Sequence, residues 1–460
     1  MKIISKTLKL LTVFLLVLGV AGCSDDDDGN DQNPNACAAD AGTLTADEDS
    51  VSLLSGSASI SATANGDIVV PANYDVTYVL TSGTNLVIEQ AGANPSFNVT
   101  ESGLYTIHTL VAETSDNTDP NFLDLSVINF GTTTGGDVLD IVTTNNLCAS
   151  LDVAGAPINV LFTVVELALD SGLSSLAAAL TATDLVSVLQ GDGPFTVFAP
   201  DNDAFATLLA DTGLDLDNLS TEEETLVTNI LLNHVISGSD ISSTDLVSAG
   251  AGYELTGAVN ADGDNLNIYF NTSNGVVLNG QSTVDNPDNT ADNGIVHIVD
   301  TVIALPTVVT FATADPNFDN LEASLAEADG SAADPMYIPT LMGDGPFTVF
   351  APDNDAFVAL LNSNMAWNSP ADIDDDLLNS VLAHHVANGN IRAEDLNDGD
   401  MAPTLEGDMI TINLPGNDGN PAKITDGAGN TDIDITVVNV QANNGVIHVI
   451  ESVLIPDTTN

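Results

Sequence analysis

The chain of 460 residues contains six histidines. Four of them fall at matching places: His234 and His385 precede a valine in NHV and HHV, and His297 and His448 sit inside IVHIV and VIHVI. Histidine moves a proton near neutral pH and is the commonest metal ligand. A recurring pair therefore raises acid–base catalysis and metal binding. The competing use is a ring that ties a loop by hydrogen bonds inside the fold. No G-x-S-x-G, H-E-x-x-H or Walker A pattern accompanies these residues. Carboxylate pairs carry no information, because 66 Asp and Glu place chance pairs everywhere. The four histidines are read as structural, no catalytic residue is assigned, and the protein is expected not to be an enzyme. His108 is read as structural or surface. No CxxC or Cys/His cluster is present, so no metal ligand is assigned. Two oxygen-rich stretches, NADGDN at 260–265 and NPDNTADNG at 286–294, leave calcium open beside the reading of solvated acidic loops.

The elements that would position these residues occur twice. GDGPFTVFAPDNDAF at 191–205 recurs unchanged at 343–357. NHVISGSDISSTDL (233–246) then pairs with HHVANGNIRAEDL (384–396), and NGIVHIVDTVIALP (293–306) with NGVIHVIESVLIP (444–456). Three blocks in the same order mean tandem units of about 150 residues, the size of a domain. In each unit PFTVFAP reads as a strand buried on both faces, carried by Phe195 and Phe198, or Phe347 and Phe350, and stopped by Pro200 or Pro352. DNDAFATLLA reads as a helix with its N-cap at Asp201 or Asn202 and Phe205 on its apolar stripe; Phe357 is the counterpart. TDLVSVLQ (183–190) and PMYIPTLM (335–342) read as helical, and the Asn-Gly at 293–294 as a turn into a strand. Strands and helices mix, so each unit is α+β.

Ahead of the repeats, residues 37–148 alternate short β-like runs with turn residues: YDVTYVL (74–80), NLVIEQ (85–90), SFNVT (96–100), LYTIHTLV (104–111) and LDLSVINF (123–130). This spacing predicts an all-β sandwich, Ig-like in character. Cys37 and Cys148 lie near its ends. As an even pair in an exported chain they are expected to form a disulfide, worth roughly 4 to 5 kcal/mol in a chain-entropy account. Two free thiols are the alternative.

The N-terminus states where such a chain goes. Residues 1–22 carry Lys2, Lys6 and Lys9, an apolar run and small residues, the pattern of a secretory signal peptide. The run from Leu10 to Gly22 is shorter than the roughly 20 residues that span a bilayer. Val20-Ala21-Gly22-Cys23 resembles the bacterial lipobox, which would make Cys23 the lipidated first residue of a membrane-anchored chain. SDDDD follows, within a tether at 23–36, and looks like the export signal of Bacteroidetes surface lipoproteins; a self-repelling solvated tether is compatible with that. The expected location is the outer membrane, facing outward. Beyond the leader only Arg392 and Lys423 are basic. That excludes phosphate-driven nucleic-acid binding and disfavours anionic headgroups. With 44% hydrophobic residues, the bulk of the chain is not disordered.

FTVFAPDNDAF, the histidine block with HV, and NGxxHxxxxVL resemble the three boxes of the fasciclin (FAS1) domain. The resemblance covers 158–305 and 306–456. It implies a β-sheet wedge with flanking helices, with His234 and His385 at the central box and His297 and His448 in the last. It further implies an adhesion protein that presents tandem domains to cells, matrix or polysaccharide. The second reading is a surface module for a small apolar ligand or a glycan. Two departures stand out. Asn233 and His384 precede the central histidine where animal members carry tyrosine. NPDNT (286–290) and VVNVQ (437–441) lack the Asp-Ile pair of integrin-binding members, so integrin-type recognition is not expected.

Overall fold

A computed structural model describes residues 37–53, 56–331, 336–417 and 419–457. The leader, Cys23 and the tether lie outside the described residues. Among those described, no helix is long and apolar enough to cross a membrane.

The chain divides into two units, one extending through Val160 and one from Leu161 onward, with Ser52–Ser57 counted in the second. In the first, β1 (Leu44–Ala46), β3 (Ala58–Ala64) and β6 (Ser96–Val99) form a sheet in the order β1-β3-β6. A second sheet joins β2 (Ser50–Leu53), β4 (Asp75–Ser82), β5 (Val87–Gly92), β7 (Gly103–Ala112) and β9 (Ala156–Phe162) in the order β2-β9-β7-β4-β5, with β8 (Ser150–Leu151) beside β7. Cys37 and Cys148 are bonded, their Cα atoms 5.1 Å apart, as expected.

Three expectations change here. The unit is not all-β, because α1 (Gly135–Thr144) follows the long strand β7. GGDVLDIVTT is too short an apolar run to stand out, but Thr134 and Asp137 close a capping box at its start. LDLSVINF, expected as a strand, holds only a 3-10 turn at Leu125–Val127. The unit also extends past 148, since APINV pairs antiparallel with Gly103–Ile107. Its alternating burial is that of a strand with one face on the core.

Each repeat is α+β. The first holds α2 (Val164–Asp170), α3 (Ser174–Ala182), α4 (Val186–Leu189), β10 (Phe195–Pro200), α5 (Asn202–Thr212), α6 (Thr221–Leu232), β11 (Val235–Ser237), α7 (Ser243–Ala249), β12 (Ala251–Val259), β13 (Asn265–Asn271), β14 (Val277–Leu278), β15 (Ser282–Ala291) and β16 (Gly294–Val299). The second holds α8 (Val308–Ala314), α9 (Asp319–Gly330), α10 (Tyr337–Leu341), β17 (Phe347–Pro352), α11 (Asn354–Asn362), α12 (Asp375–His384), β18 (Val386–Asn388), β19 (Met401–Pro403), β20 (Met409–Asn413), β21 (Ala422–Thr425), β22 (Ile433–Ala442) and β23 (Gly445–Ile450). The strand orders match: β11-β10-β16-β15-β14-β13-β12 and β18-β17-β23-β22-β21-β20-β19. The sheet is thus one seven-stranded path in each repeat, with register shifts in β15 and β22 that bend it. One face packs on helices. In repeat 1 that core includes Leu176, Leu180, Val197, Phe205 and Leu231. The other face closes a smaller core around Phe198, Ile268, Phe270 and Leu278.

The shared block folds as its pattern requires. All six residues of β10 are buried, because helices cover one face and the second core the other. Asp201 and Asp353 are the N-caps of α5 and α11, each accepting a backbone N–H at 2.7 and 2.8 Å from Ala204 and Ala356.

Candidate functional site

The histidines come first. His234 ends the segment after α6, and its Nδ1 lies 2.7 Å from the Ile230 carbonyl. A carbonyl only accepts, so Nδ1 carries the proton. Nε2 then accepts from the Ile303 N–H at 2.8 Å. His385 repeats this, with Nδ1 on the Val381 carbonyl at 2.7 Å and Nε2 accepting from Leu454 N–H at 2.8 Å. Both rings are fully buried, and burial pushes their pKa down, to about 4 for His234 and about 3 for His385. Each ring is neutral and has spent both nitrogens tying the C-terminal end of a helix to the segment beyond the last strand.

The last-box histidines are spent the same way with the tautomer reversed. His297 donates from Nε2 to the Ile241 carbonyl at 2.9 Å and accepts at Nδ1 from Asp288 N–H at 3.2 Å. His448 donates to the Ile391 carbonyl at 2.8 Å and accepts from Asn439 N–H at 3.4 Å. Each stacks on the phenylalanine across the parallel strand pair, Phe198 at 5.5 Å and Phe350 at 5.6 Å between centroids. Burial lowers both pKa values. Phe195, Pro200, Phe205, Pro352 and Phe357 are buried too, and Phe347 packs partly buried against its core. The motif residues are therefore brought together as a core and present no reactive group outward.

The Asn-Gly of the last box does more than turn the chain. Asn293 donates from Nδ2 to the carbonyls of Leu189 and Gly191, both at 2.8 Å, and accepts from Val164 N–H at 2.9 Å. Asn444 does the same with Leu341 and Gly343, both at 2.7 Å, and Val308 N–H at 2.9 Å. One amide thus joins three distant segments in each repeat. Gly294 follows because a Cβ there would lie 2.1 Å from the Phe195 carbonyl oxygen. The clue in the sequence was an asparagine at the same offset in both copies, hidden by the turn reading of Asn-Gly.

His384 differs. It is fully buried, with Nε2 accepting from Gly427 N–H at 3.1 Å, so Nδ1 bears the proton. Nδ1 faces Thr404 Oγ1 at 3.3 Å and Glu406 at 3.5 Å. Burial lowers its pKa, against the opposing pull of Glu406, Asp408 and Asp426. His384, Glu406 and Asp408 bring ligand-type atoms within 4.8 Å of one another. A metal on Nδ1 would have to displace that proton while Nε2 still faces a donor. The tautomer therefore fits a hydrogen-bonded ring better than a metal ligand. Glu406 and Asp408 lie well beyond His384 in the chain, in a loop with no ligand spacing to mark them.

The acidic loops offered for calcium are engaged by the chain itself. Asp264 accepts from Arg392 Nη1 at 2.5 Å and from Asn390 Nδ2 at 2.9 Å, and Asp262 accepts from Asn390 at 3.3 Å. Asp288 accepts from the backbone and hydroxyl of Ser243 at the start of α7. The first set joins the two repeats. Gln441 N–H donates to Asn267 Oδ1 at 2.7 Å, and Tyr253 OH donates to the buried Asp315 at 2.8 Å. Tyr253 also meets Phe311 edge-on, and Tyr269 sits in the core of repeat 2. Burial raises the pKa of both tyrosines, that of Tyr269 to about 12.

The fasciclin domain family model matches residues 171–306 and 331–456. The transforming growth factor-beta-induced protein ig-h3 of Sus scrofa is 30% identical over 286 residues, 59% of this chain and 36% of that protein. Human periostin is 30% identical over 60% of this chain and 30% of its own length. Protein sll1483 of Synechocystis is 38% identical over 31% of this chain and 74% of that protein. The chain thus spans about a third of the two animal relatives. A solved FAS1 domain pair from the insect cell adhesion molecule Fasciclin I matches 63% of this chain and 95% of that one, at 18% identity and a TM-score of 0.36. With both family matches covering the two repeats whose boxes build the buried histidine and asparagine ties, the chain belongs to the fasciclin domain family.

Proposed function

We propose that this protein is a non-enzymatic adhesion protein whose joined pair of fasciclin domains engages neighbouring cells, matrix or polysaccharide. The observation that carries this reading is that all four repeated histidines are spent inside the fold. A catalytic histidine needs a free nitrogen, and His234, His297, His385 and His448 have none. What two such domains can offer a partner is surface. Carried on one chain they give avidity from weak single contacts.

The leader, the lipidation of Cys23 and an outward-facing position at the outer membrane belong to this proposal and rest on the sequence patterns. The N-terminal unit is then a spacer between anchor and repeats, and its two-sheet strand order supports an Ig-like character with α1 added. Absence of nucleic-acid partners follows from the charge.

The test is adhesion of whole cells carrying the protein with residues 163–456 deleted, so that β9 stays with its sheet. Adhesion should fall while the truncated chain still reaches the surface. Unchanged adhesion with normal surface display would overturn the reading.

A further inference from the structure

The first unit contains a feature that neither adhesion nor the spacer role uses. Between its larger sheet and α1 lies a cavity of about 260 Å³. Val79, His108 and Leu110 of the sheet form one wall, and Val138 and Leu139 of α1 the opposite one. Among the described residues, no Asp, Glu, Lys or Arg lines it. In a chain with 66 acidic residues that is a selective surface. A dry cavity of about 150 Å³ holds a benzene-sized molecule, so this one has room for about ten heavy atoms.

One wall carries a polar pair. His108 Nδ1 lies 2.8 Å from the Asp152 carbonyl and therefore bears the ring proton. Nε2 must then accept, and Thr81 Oγ1 sits 3.0 Å away to donate its hydrogen. Thr81 and His108 face the cavity from the same side of the sheet, because Val79 is paired with His108 and Thr81 with Thr106. With its hydrogen committed, the Thr81 oxygen has lone pairs and no proton to offer. It can accept from an incoming hydroxyl and cannot donate to a carboxylate.

We propose that the N-terminal unit binds a neutral, largely hydrocarbon molecule of about ten heavy atoms whose single hydroxyl donates to Thr81 Oγ1. The cavity is apolar with one convergent acceptor, the composition of a small-molecule site. A carboxylate ligand would be buried without a donor or a countercharge, at a cost that excludes it. The exposed Phe130 stands at the rim, on the loop that leads into α1. This site is independent of the adhesive reading of the repeats.

The probe is 1-octanol, with octanoate at pH 8 as its charged counterpart, titrated calorimetrically into the full chain. Octanol should bind at one site, and octanoate at least tenfold more weakly. Ala91 is exposed at the cavity's edge, so Ala91→Trp should block the mouth and abolish binding without lowering the melting temperature. Leu139→Phe fills the cavity from the helix side and should do the same. Thr81→Val should weaken octanol at least fivefold, and Thr81→Ser should restore it. Three results would each overturn the proposal: no octanol binding, equal affinity for octanoate, or binding indifferent to both blocking variants. Refusal of octanol by a chain that self-associates through this face would also overturn it, since a second copy would then cover the mouth.

Discussion

The two fasciclin repeats have the same sheet order, the same histidine ties and the same asparagine staple, yet they differ at one buried place. Where repeat 1 has Asn233, repeat 2 has His384. Asn233 donates to the carbonyls of Ile303 and Ala304 at 3.3 and 3.1 Å, a neutral amide closing a backbone gap. His384 reaches instead toward Thr404, Glu406 and Gly427. The repeats also differ where α7 of the first is replaced by a 3-10 turn, Ala393–Asp395, in the second. Arg392 stands just before that turn. Identical motif blocks thus build an identical frame, while the positions beside the blocks decide whether a repeat holds a titratable cluster or a bond to its neighbour.

The asparagine staples give the largest expected effect. Asn444 is 3% exposed and Asn293 only half-buried. Asn444→Ala should cost about 4 kcal/mol by orphaning one N–H and two carbonyls, and Asn293→Ala about 2 kcal/mol, because water reaches its site. Chemical denaturation of the two variants checks the asymmetry, and equal losses would mean the staples are equivalent.

Next come the central histidines, which should behave alike. His234→Ala and His385→Ala should each cost about 3 kcal/mol, read from the shift in denaturation midpoint. The pH dependence follows from the same burial. A neutral buried histidine binds its proton only below its folded pKa, while the unfolded ring takes one near 6.5. The stability it confers is therefore complete above pH 6.5. It falls as pH drops through the window down to about 4 for His234 and about 3 for His385. Each contributes a slope of up to about 1.4 kcal/mol per pH unit. Relief of negative self-repulsion acts in the opposite direction, so the check is the parent's pH profile minus that of His234→Gln or His385→Gln.

A smaller effect belongs to His384→Asn, which transplants the side chain of repeat 1. It should change stability at pH 8 by about 1 kcal/mol or less, and it should flatten the loss on acidification, since the pKa of His384 is lowered. Zinc should not raise the melting temperature of the parent more than that of the variant. A rise confined to the parent would make the cluster a metal site after all. The smallest expected effect is that of Arg392→Ala. It removes the ion pair with Asp264 and leaves Tyr253–Asp315 and Gln441–Asn267 in place. The repeats should still unfold in one transition. Two separated calorimetric transitions would show that Arg392 alone couples them.

Much of the frame was legible because its cues are local. PFTVFAP alternates over a short run, Asp201 precedes an apolar helix, and block order repeats. The disulfide was legible from the two cysteines that remain once Cys23 is set aside as the lipidation candidate. What escaped depends on partners far apart in sequence. The join between repeats pairs Asp264 with Arg392, and no periodicity marks either residue. Asn293 looks like a turn residue until Val164 and Leu189 are brought to it. Helix α1 was missed because a short, glycine-led segment has weak propensity and is held by its cap and by the sheet it covers. The strand at 156–162 alternates as clearly as its neighbours, but the second cysteine suggested that the unit had already closed.

The order of strands has a consequence for how the chain is made. In each repeat the last strand to leave the ribosome, β16 or β23, occupies an interior place, between the first long strand and the strand that precedes it. Its pairing with β10 or β17 is parallel and joins opposite ends of the repeat. A nascent repeat therefore cannot close its sheet, seat its histidine on phenylalanine or engage its asparagine until synthesis of that repeat is complete. Such non-local closure is slow relative to local helix formation. A chain in that condition stays open and threadable while it emerges, and each repeat becomes resistant to unfolding in a single late step, when its final segment slides into the gap.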